Sequence, residues 1–212
     1  MVANNSEEQA LLSQGYNHIA GVDESGMGAF AGDVYVAAVI LPPDIDYKTV
    51  LKGLNDSKTK TPEQREELYD KIIKHALAYA VESASVEEVN TLNVYWARFA
   101  AVNRALNNLS IKPDYILMDG NKEIPDTLIP QQAIVKGDSK SISIAAASIL
   151  AKVERDKHID ALAKLVHKDY DWISNKSYYA PKHIAAIKKH GKTKYHRDKY
   201  VSKYLEGDNE SW

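Results

Sequence analysis

The stretch His18-Ile19-Ala20-Gly21-Val22-Asp23-Glu24-Ser25-Gly26-Met27-Gly28-Ala29-Phe30-Ala31-Gly32 decides how the chain is read. A short apolar run delivers two adjacent carboxylates. A glycine-rich turn follows at once, then a second apolar run from Val34 to Leu41. Carboxylates beside flexible backbone at a strand end point to a metal site that handles a phosphate. Gly26-x-Gly28-x-x-Ala31 also spells the dinucleotide-binding fingerprint, but that fingerprint needs glycines that open a helix. Here they open Val34–Leu41, which is rich in β-branched residues and has no helical stripe. A hairpin-like return is expected, and the dinucleotide reading is rejected.

Working outward, strands are predicted over about 17–23 and 33–41, the second ended by Pro42-Pro43, because proline cannot donate to a ladder. Residues 1–15 read as a short helix or a leader, and 44–60 as a loop with a helical turn. Thr61-Pro62-Glu63-Gln64 is a helix start with a reciprocal cap, and Leu68, Ile72, Ile73 and Leu77 are expected on its buried face. A strand follows over 77–84. Ser85-Val86-Glu87-Glu88 opens a second helical region to about Leu109, broken near Thr91. Strands are expected at Tyr115–Met118 and Gln132–Val135, and a long helix from Ser141 to about Val166, whose small apolar start should pack tightly on the sheet. A last helix is expected at Pro181–His190, followed by an irregular end. This is an α/β chain: a mixed sheet flanked by helices, with a helical C-terminal extension.

Three strand ends carry carboxylates: Asp23-Glu24, Asp119 and Asp138, each near a glycine. Brought together, four carboxylates repel unless cations neutralise them. Oxygen donors without cysteine suit Mg²⁺ or Mn²⁺. Two such ions, about 3.5–4 Å apart, can activate a water and stabilise the leaving oxygen of a phosphodiester. Taken singly, each aspartate could equally be a turn residue.

The 212 residues fit one domain, or one with a small appendage, and there is no cysteine, which removes disulfides, thiolate metal sites and a cysteine nucleophile. No apolar run approaches the roughly 18 residues of a membrane span. The polar start is not a secretory signal, so a cytoplasmic location is expected. The net charge of −2 hides an asymmetry: residues 1–135 balance to −8 and residues 136–204 to +9. One face is thus suited to a polyanion, although lysine-rich helix surfaces are also common.

The chain resembles the ribonuclease HII (type 2 ribonuclease H) family from about Ile19 to about Arg197. Gly21-Val22-Asp23-Glu24-Ser25-Gly26-Met27-Gly28 stands where the family has Gly-x-Asp-Glu-Ala-Gly-Arg-Gly. Leu54-Asn55-Asp56-Ser57-Lys58 matches its Asn-Asp-Ser-Lys loop, Leu92-Asn93 falls in its helix after the capping serine, and Met118-Asp119-Gly120-Asn121 matches its third carboxylate motif. Lys136-Gly137-Asp138-Ser139-Lys140-Ser141, continued by Ser143-Ile144-Ala145-Ala146-Ala147-Ser148-Ile149-Leu150-Ala151-Lys152-Val153 to Arg155-Asp156, is the most specific match.

The resemblance implies a ribonuclease H-like fold as a single domain over 1–212: a core of about 17–170, a helical C-terminal part of about 171–204 and a short acidic tail 205–212. It implies a two-metal endoribonuclease using Mg²⁺ or Mn²⁺. Such an enzyme cuts the RNA strand of RNA/DNA hybrids and nicks 5′ to single ribonucleotides in duplex DNA, leaving 3′-hydroxyl and 5′-phosphate. By position, Asp23, Glu24, Asp119 and Asp138 are the catalytic and metal-binding carboxylates, with Asp23 the candidate to bridge two ions. Gly26, Met27 and Gly28 form the turn that reads the 2′-hydroxyl through main-chain atoms, the one group that separates RNA from DNA at a site. Tyr178, with Tyr179 as the alternative, is the sugar-stacking tyrosine. Lys58, Lys136, Ser141 and Ser143 are candidate phosphate contacts. Asp156 is read as a solvated or salt-bridged helix residue.

The chain departs from the family at several points. Met27 replaces an arginine, Ala29-Phe30 replaces proline plus an apolar residue, Asp33 replaces a proline, and Ser177 and Tyr179 stand where glycines are usual. Two alternatives follow from Met27: a catalytically weak hybrid-duplex binding protein, or a ribonuclease HIII-like preference for longer hybrids. The partner is nucleic acid, with no membrane and no evident clamp-binding peptide, and a monomer is expected.

Overall fold

The computed structural model describes residues 3–54 and 57–205. Five strands form one mixed sheet in the order β3-β2-β1-β4-β5: β1 (Ile19–Ser25), β2 (Val34–Ile40), β3 (Ala78–Ala84), β4 (Tyr115–Asp119) and β5 (Gln131–Ile134). The glycine turn does return the chain antiparallel, with Ser25 opposite Tyr35, and β3 adds antiparallel to β2. β1–β4 and β4–β5 are parallel. Parallel pairing brings the C-terminal ends of β1, β4 and β5 to one edge, where ligands of open α/β sheets bind.

The helices are α1 (Ser6–Leu12), α2 (Tyr47–Val50), α3 (Pro62–His75), α4 (Val86–Leu92), α5 (Val94–Asn108), α6 (Ile142–Ala163), α7 (Trp172–Asn175), α8 (Pro181–His190) and α9 (Asp198–Val201). They cover both faces of the sheet, so β2 reads as an unbroken apolar run rather than an alternating one. Its residues still alternate between two cores. Val36, Ala38 and Ile40 pack with Phe99, Val102 and Leu106 of α5, whereas Ala37, Val39 and Leu41 pack with α3 and α6. α6 lies hard against β1: a Cβ on Gly21 would collide with the backbone of Ser143 and Ile144. The small start of α6 is what allows that approach.

Both capping boxes form: Thr61 and Gln64, then Ser85 and Glu88, exchange hydrogen bonds across the first turns of α3 and α4. The break in the second helical region falls at Asn93, not Thr91. Asn93 adopts φ 65°, and its side chain accepts from the backbone of Tyr95 and Trp96, so one helix ends and another begins at one residue. Leu77 is not on the buried face of α3. That helix ends at His75, and Leu77 is exposed where the chain turns into β3. Val135 is likewise exposed, just past β5. The C-terminal part holds the short helix α9 where an irregular end was expected. Asn55 and Asp56 of the 54–58 motif, and tail residues 206–212 with the question of a clamp peptide, lie outside the described residues.

A third core joins the glycine turn to the C-terminal part. Phe30 and Ala31 pack with Ile159 and Leu162 of α6, Tyr170, Trp172, Ile187 and Val201.

Candidate active site

Asp23 and Glu24 end β1, Asp119 ends β4, and Asp138 sits in the single 3₁₀ turn 137–139 before α6. Because Val22 pairs with Met118, the next residues on each strand, Asp23 and Asp119, emerge side by side. Asp119 is held by the backbone N–H of Gly137 at 2.6 Å, which ties the third carboxylate to the turn bearing the fourth. Asp23 is 6 % exposed and accepts from the N–H of Glu24 at 2.7 Å. Burial first, then the charges of Glu24, Asp119 and Asp138, push its carboxyl well above the usual range. Glu24 is also raised, by burial and against the pull of Arg98; Asp119 raises it further. Arg98 of α5 donates to Glu24 Oε1 at 3.0 Å, while Oε2 is buried without a partner. A crowded, partly unsatisfied all-oxygen set of this kind fits hard divalent cations.

The carboxylates open into a cleft of about 420 Å³, whose walls include Asp23, Glu24, Asp119, the turn 26–28, Ser57, Lys58 and Tyr178. The turn is fastened from behind. Arg197, fully buried, donates to the carbonyls of Gly26 at 2.7 Å, Met27 at 3.1 Å and Gly32 at 2.8 Å. The Tyr200 hydroxyl adds a second bond to Met27 O at 3.0 Å. Gly26 has φ 100°, and a Cβ there would strike Arg155, so glycine is required on both counts.

Tyr178 lines the cleft with the Arg155 guanidinium 4.8 Å from its ring centre. Tyr179 is exposed and packs edge-on against Phe30 instead. The backbone of Tyr178 is held by a buried relay. His183 Nδ1 donates to Tyr178 O at 2.9 Å, and its Nε2 accepts from Trp172 at 3.0 Å and from His196 Nε2 at 3.1 Å. His196 Nδ1 in turn accepts from Thr193 N at 2.9 Å. These partners place one proton on each ring, so both histidines are neutral. Ser177 sits at φ 64°, which explains the usual glycine there, and binds Arg155 and Ala31 O through its hydroxyl. Asp33, at the usual proline position, accepts from Val86 N and Ser83 and so caps α4.

One expectation is corrected. Ser141 and Ser143 are buried, and both hydroxyls bond to Glu8 of α1 at 2.6 Å. They tie α1 to the start of α6 and do not face the cleft, so they are not placed to meet phosphate. Lys136 is exposed at φ 56°, directly before the turn that carries Asp138, and neither residue is part of the cleft wall. In place of the two serines the structure brings in Ser148 and Lys152, which line the cleft one turn apart on α6. Their four-residue spacing in the small apolar run was the available signal. Asp156 pairs with Lys152 at 2.7 Å and Arg65 at 3.5 Å, as a salt-bridged helix residue. Another cluster, His167, Asp169 and His190, has ligand-type atoms within 4.8 Å. Its rings stack at 4.1 Å and Lys189 already holds Asp169 at 3.1 Å, the pattern of an ion-pair network.

Residues 20–203 match the family model described as Ribonuclease HII. The chain is similar to a Ribonuclease HII from Bacteroides thetaiotaomicron, 49% identical over 180 residues, covering 84% of this chain and 86% of that protein. Among solved structures it is similar to ribonuclease H2 from Pyrococcus horikoshii OT3, with TM-score 0.71 and 25% identity over 89% of this chain and 99% of that one. It is also similar in fold to Bst-RNase HIII in complex with Mn²⁺, with TM-score 0.71 and 20% identity over 90% of this chain and 70% of that one.

Proposed function

The chain belongs to the ribonuclease HII family and is a ribonuclease H hydrolase that acts on nucleic acid; from that premise we propose that it cuts the RNA strand of RNA/DNA hybrids and nicks 5′ to single ribonucleotides in duplex DNA. The products are a 3′-hydroxyl and a 5′-phosphate. The observation that carries the proposal is convergence: Asp23, Glu24, Asp119, a fastened glycine turn and Tyr178 line one cleft, and Asp138 is near enough for its charge to act on Asp23.

Asp23, Glu24, Asp119 and Asp138 would hold divalent ions, Mg²⁺ or Mn²⁺, with Asp23 the central ligand of the set. The Mn²⁺ in the structural neighbour, and a donor set made only of oxygen, support this choice. Bound there, the ions supply an activated water and charge stabilisation for the leaving oxygen. The protein's own part is orientation. Lys58 and Lys152, both in the cleft wall, meet phosphate oxygens, and Ser148 lies one helical turn before Lys152. Arg197 and Tyr200 fix the carbonyls of the turn 26–28, so its main chain presents one arrangement to a 2′-hydroxyl. Tyr178, backed by Arg155, stacks on the sugar of the next nucleotide.

We treat the described chain as one working unit, because Phe30 and Ala31 of the turn are built into the C-terminal core. It acts as a monomer in the cytoplasm. No helix among the described residues is long and apolar enough to cross a membrane.

The test is a DNA duplex carrying one ribonucleotide, incubated with Mg²⁺ or Mn²⁺. Nicking on the 5′ side is expected. Binding without cleavage in either ion, both of this duplex and of a long RNA/DNA hybrid, overturns the enzyme in favour of a hybrid-binding protein. Met27, which puts no cation in the turn, favours one second reading: cleavage confined to longer ribonucleotide runs, as in the type 3 enzymes.

A further inference from the structure

Arg98 is out of place on its helix. α5 buries Ala97, Phe99, Ala101, Val102 and Ala105 beside it, and the Arg98 side chain is only 11% exposed. Its guanidinium lies 4.5 Å from the Phe99 ring centre and 5.3 Å from that of Tyr95, and donates to Glu24 Oε1 at 3.0 Å. Its Nε and the second oxygen of Glu24 are both buried and unbonded. A buried ion pair with two unmet hydrogen-bonding atoms is a poor stabilising device. The arrangement makes sense if Glu24 has a second partner to come.

We infer that Arg98 is the built-in counter-ion of the carboxylate site and sets its affinity for divalent ions. The inference rests on the metal-binding reading proposed above. In the ion-free protein, one fixed positive charge offsets part of the repulsion among Asp23, Glu24, Asp119 and Asp138. An ion arriving at Glu24 meets that same charge as a like charge a few ångströms away. Arg98 therefore stabilises the empty site and weakens the filled one. A substrate phosphate brings negative charge to the same place and removes the conflict. Ion affinity and substrate affinity are thereby coupled, and by linkage each raises the other. Arg98 is a positioning residue: it acts through Glu24 and does not touch the reacting atoms.

The experiment is Mn²⁺ titration of the whole protein without substrate, followed by calorimetry and by the loss of the free-ion EPR signal. R98M keeps the apolar stem and removes the charge. It is expected to bind Mn²⁺ at least about tenfold more tightly, since even in a water-like dielectric a divalent ion and a single charge a few ångströms apart repel that strongly. The ion-free Tm of R98M should fall, while its gain in Tm on adding Mn²⁺ exceeds that of the wild type. R98K, which keeps the charge, should stay near the wild-type affinity. If R98M does not fold, R98Q answers the same question. Unchanged or weaker Mn²⁺ binding in the neutral variant overturns the role of Arg98, as does an equal shift in R98K. D23N separates this failure from that of the premise: if the wild type binds no Mn²⁺, or D23N binds it as the wild type does, the metal site itself is wrong and the inference goes with it.

Discussion

The molecule buries two sets of charged or titratable groups, and they are built on opposite principles. At the ends of β1 and β4, carboxylates are crowded together, Asp23 and Glu24 pushed up by burial and by neighbouring carboxylates, with an oxygen of Glu24 left unbonded. Behind the glycine turn, Arg197 bonds three carbonyls, Arg155 bonds Ala31 O and Ser177, and His183 and His196 are each satisfied at both ring nitrogens. The first set is left open at Glu24; the second is bonded at all of these groups except Arg155 Nε, which is buried without a partner. Burying like charges without partners is unfavourable, so the carboxylates mark a site held together at the expense of stability. The cations that bond the backbone, Arg197 and Arg155, mark a scaffold. On the proposed function, the open carboxylate set does the chemistry, and its precision is supplied by the bonded scaffold.

The contrast can be broken from either side. The largest effect belongs to the carboxylates. D23N should lower cleavage by about 10³-fold, equivalent to about 4 kcal/mol of transition-state stabilisation. In chelator, the same variant should melt higher than the wild type, because a repelling buried charge is gone. An active D23N, or one that melts lower, would put Asp23 in the scaffold. R197M should do the reverse. Gly26 O and Gly32 O lose their guanidinium donors, and urea unfolding should show a loss of about 3 kcal/mol, roughly 1–3 for each carbonyl affected. The fraction that remains folded should cut embedded ribonucleotides less selectively.

The histidine relay gives the next effect. Burial pushes His196 down to about 3 and lowers His183 as well. Their folded values lie below the unfolded value near 6.5, so the unfolded chain binds more protons as the solution is acidified. Stability that is fully present above about pH 6.5 is lost as the pH falls toward 3, at up to about 1.4 kcal/mol per pH unit for each ring. Thermal melts from pH 7 to pH 4 should show this slope, and H196N should flatten it. The smallest change is Y200F, which removes one hydroxyl from Met27 O and should cost about 1 kcal/mol by the same unfolding measurement.

The two sets also differ in how far they can be read from the sequence. The carboxylates were legible because each ends a short apolar run beside a glycine, a local pattern. So were both capping boxes and α8, whose bounds Pro181–His190 match the reading. The scaffold was not legible, because its bonds join residues far apart: Arg197 to Gly26, His183 to His196 across a loop, Glu8 to Ser141 and Ser143. No spacing rule says that a serine opening α6 is covered by a glutamate from α1. The two serines therefore looked like free donors. Arg98 was missed for a related reason. A lone arginine among apolar helix positions reads as a snorkelling side chain until the strand beneath it is known to end in Glu24.

Arg197 has a consequence for the order in which the protein becomes competent. Synthesis runs from the N-terminus, and domains fold as their segments emerge. All four carboxylates are translated by residue 138, and the strands that carry them precede it. The donor that fixes the carbonyls of Gly26 and Met27 arrives only with residue 197. On the proposed function, a nascent chain on the ribosome would carry its ion-binding carboxylates well before the donor that fixes the ribose-reading turn, and would gain that discrimination only as synthesis closes.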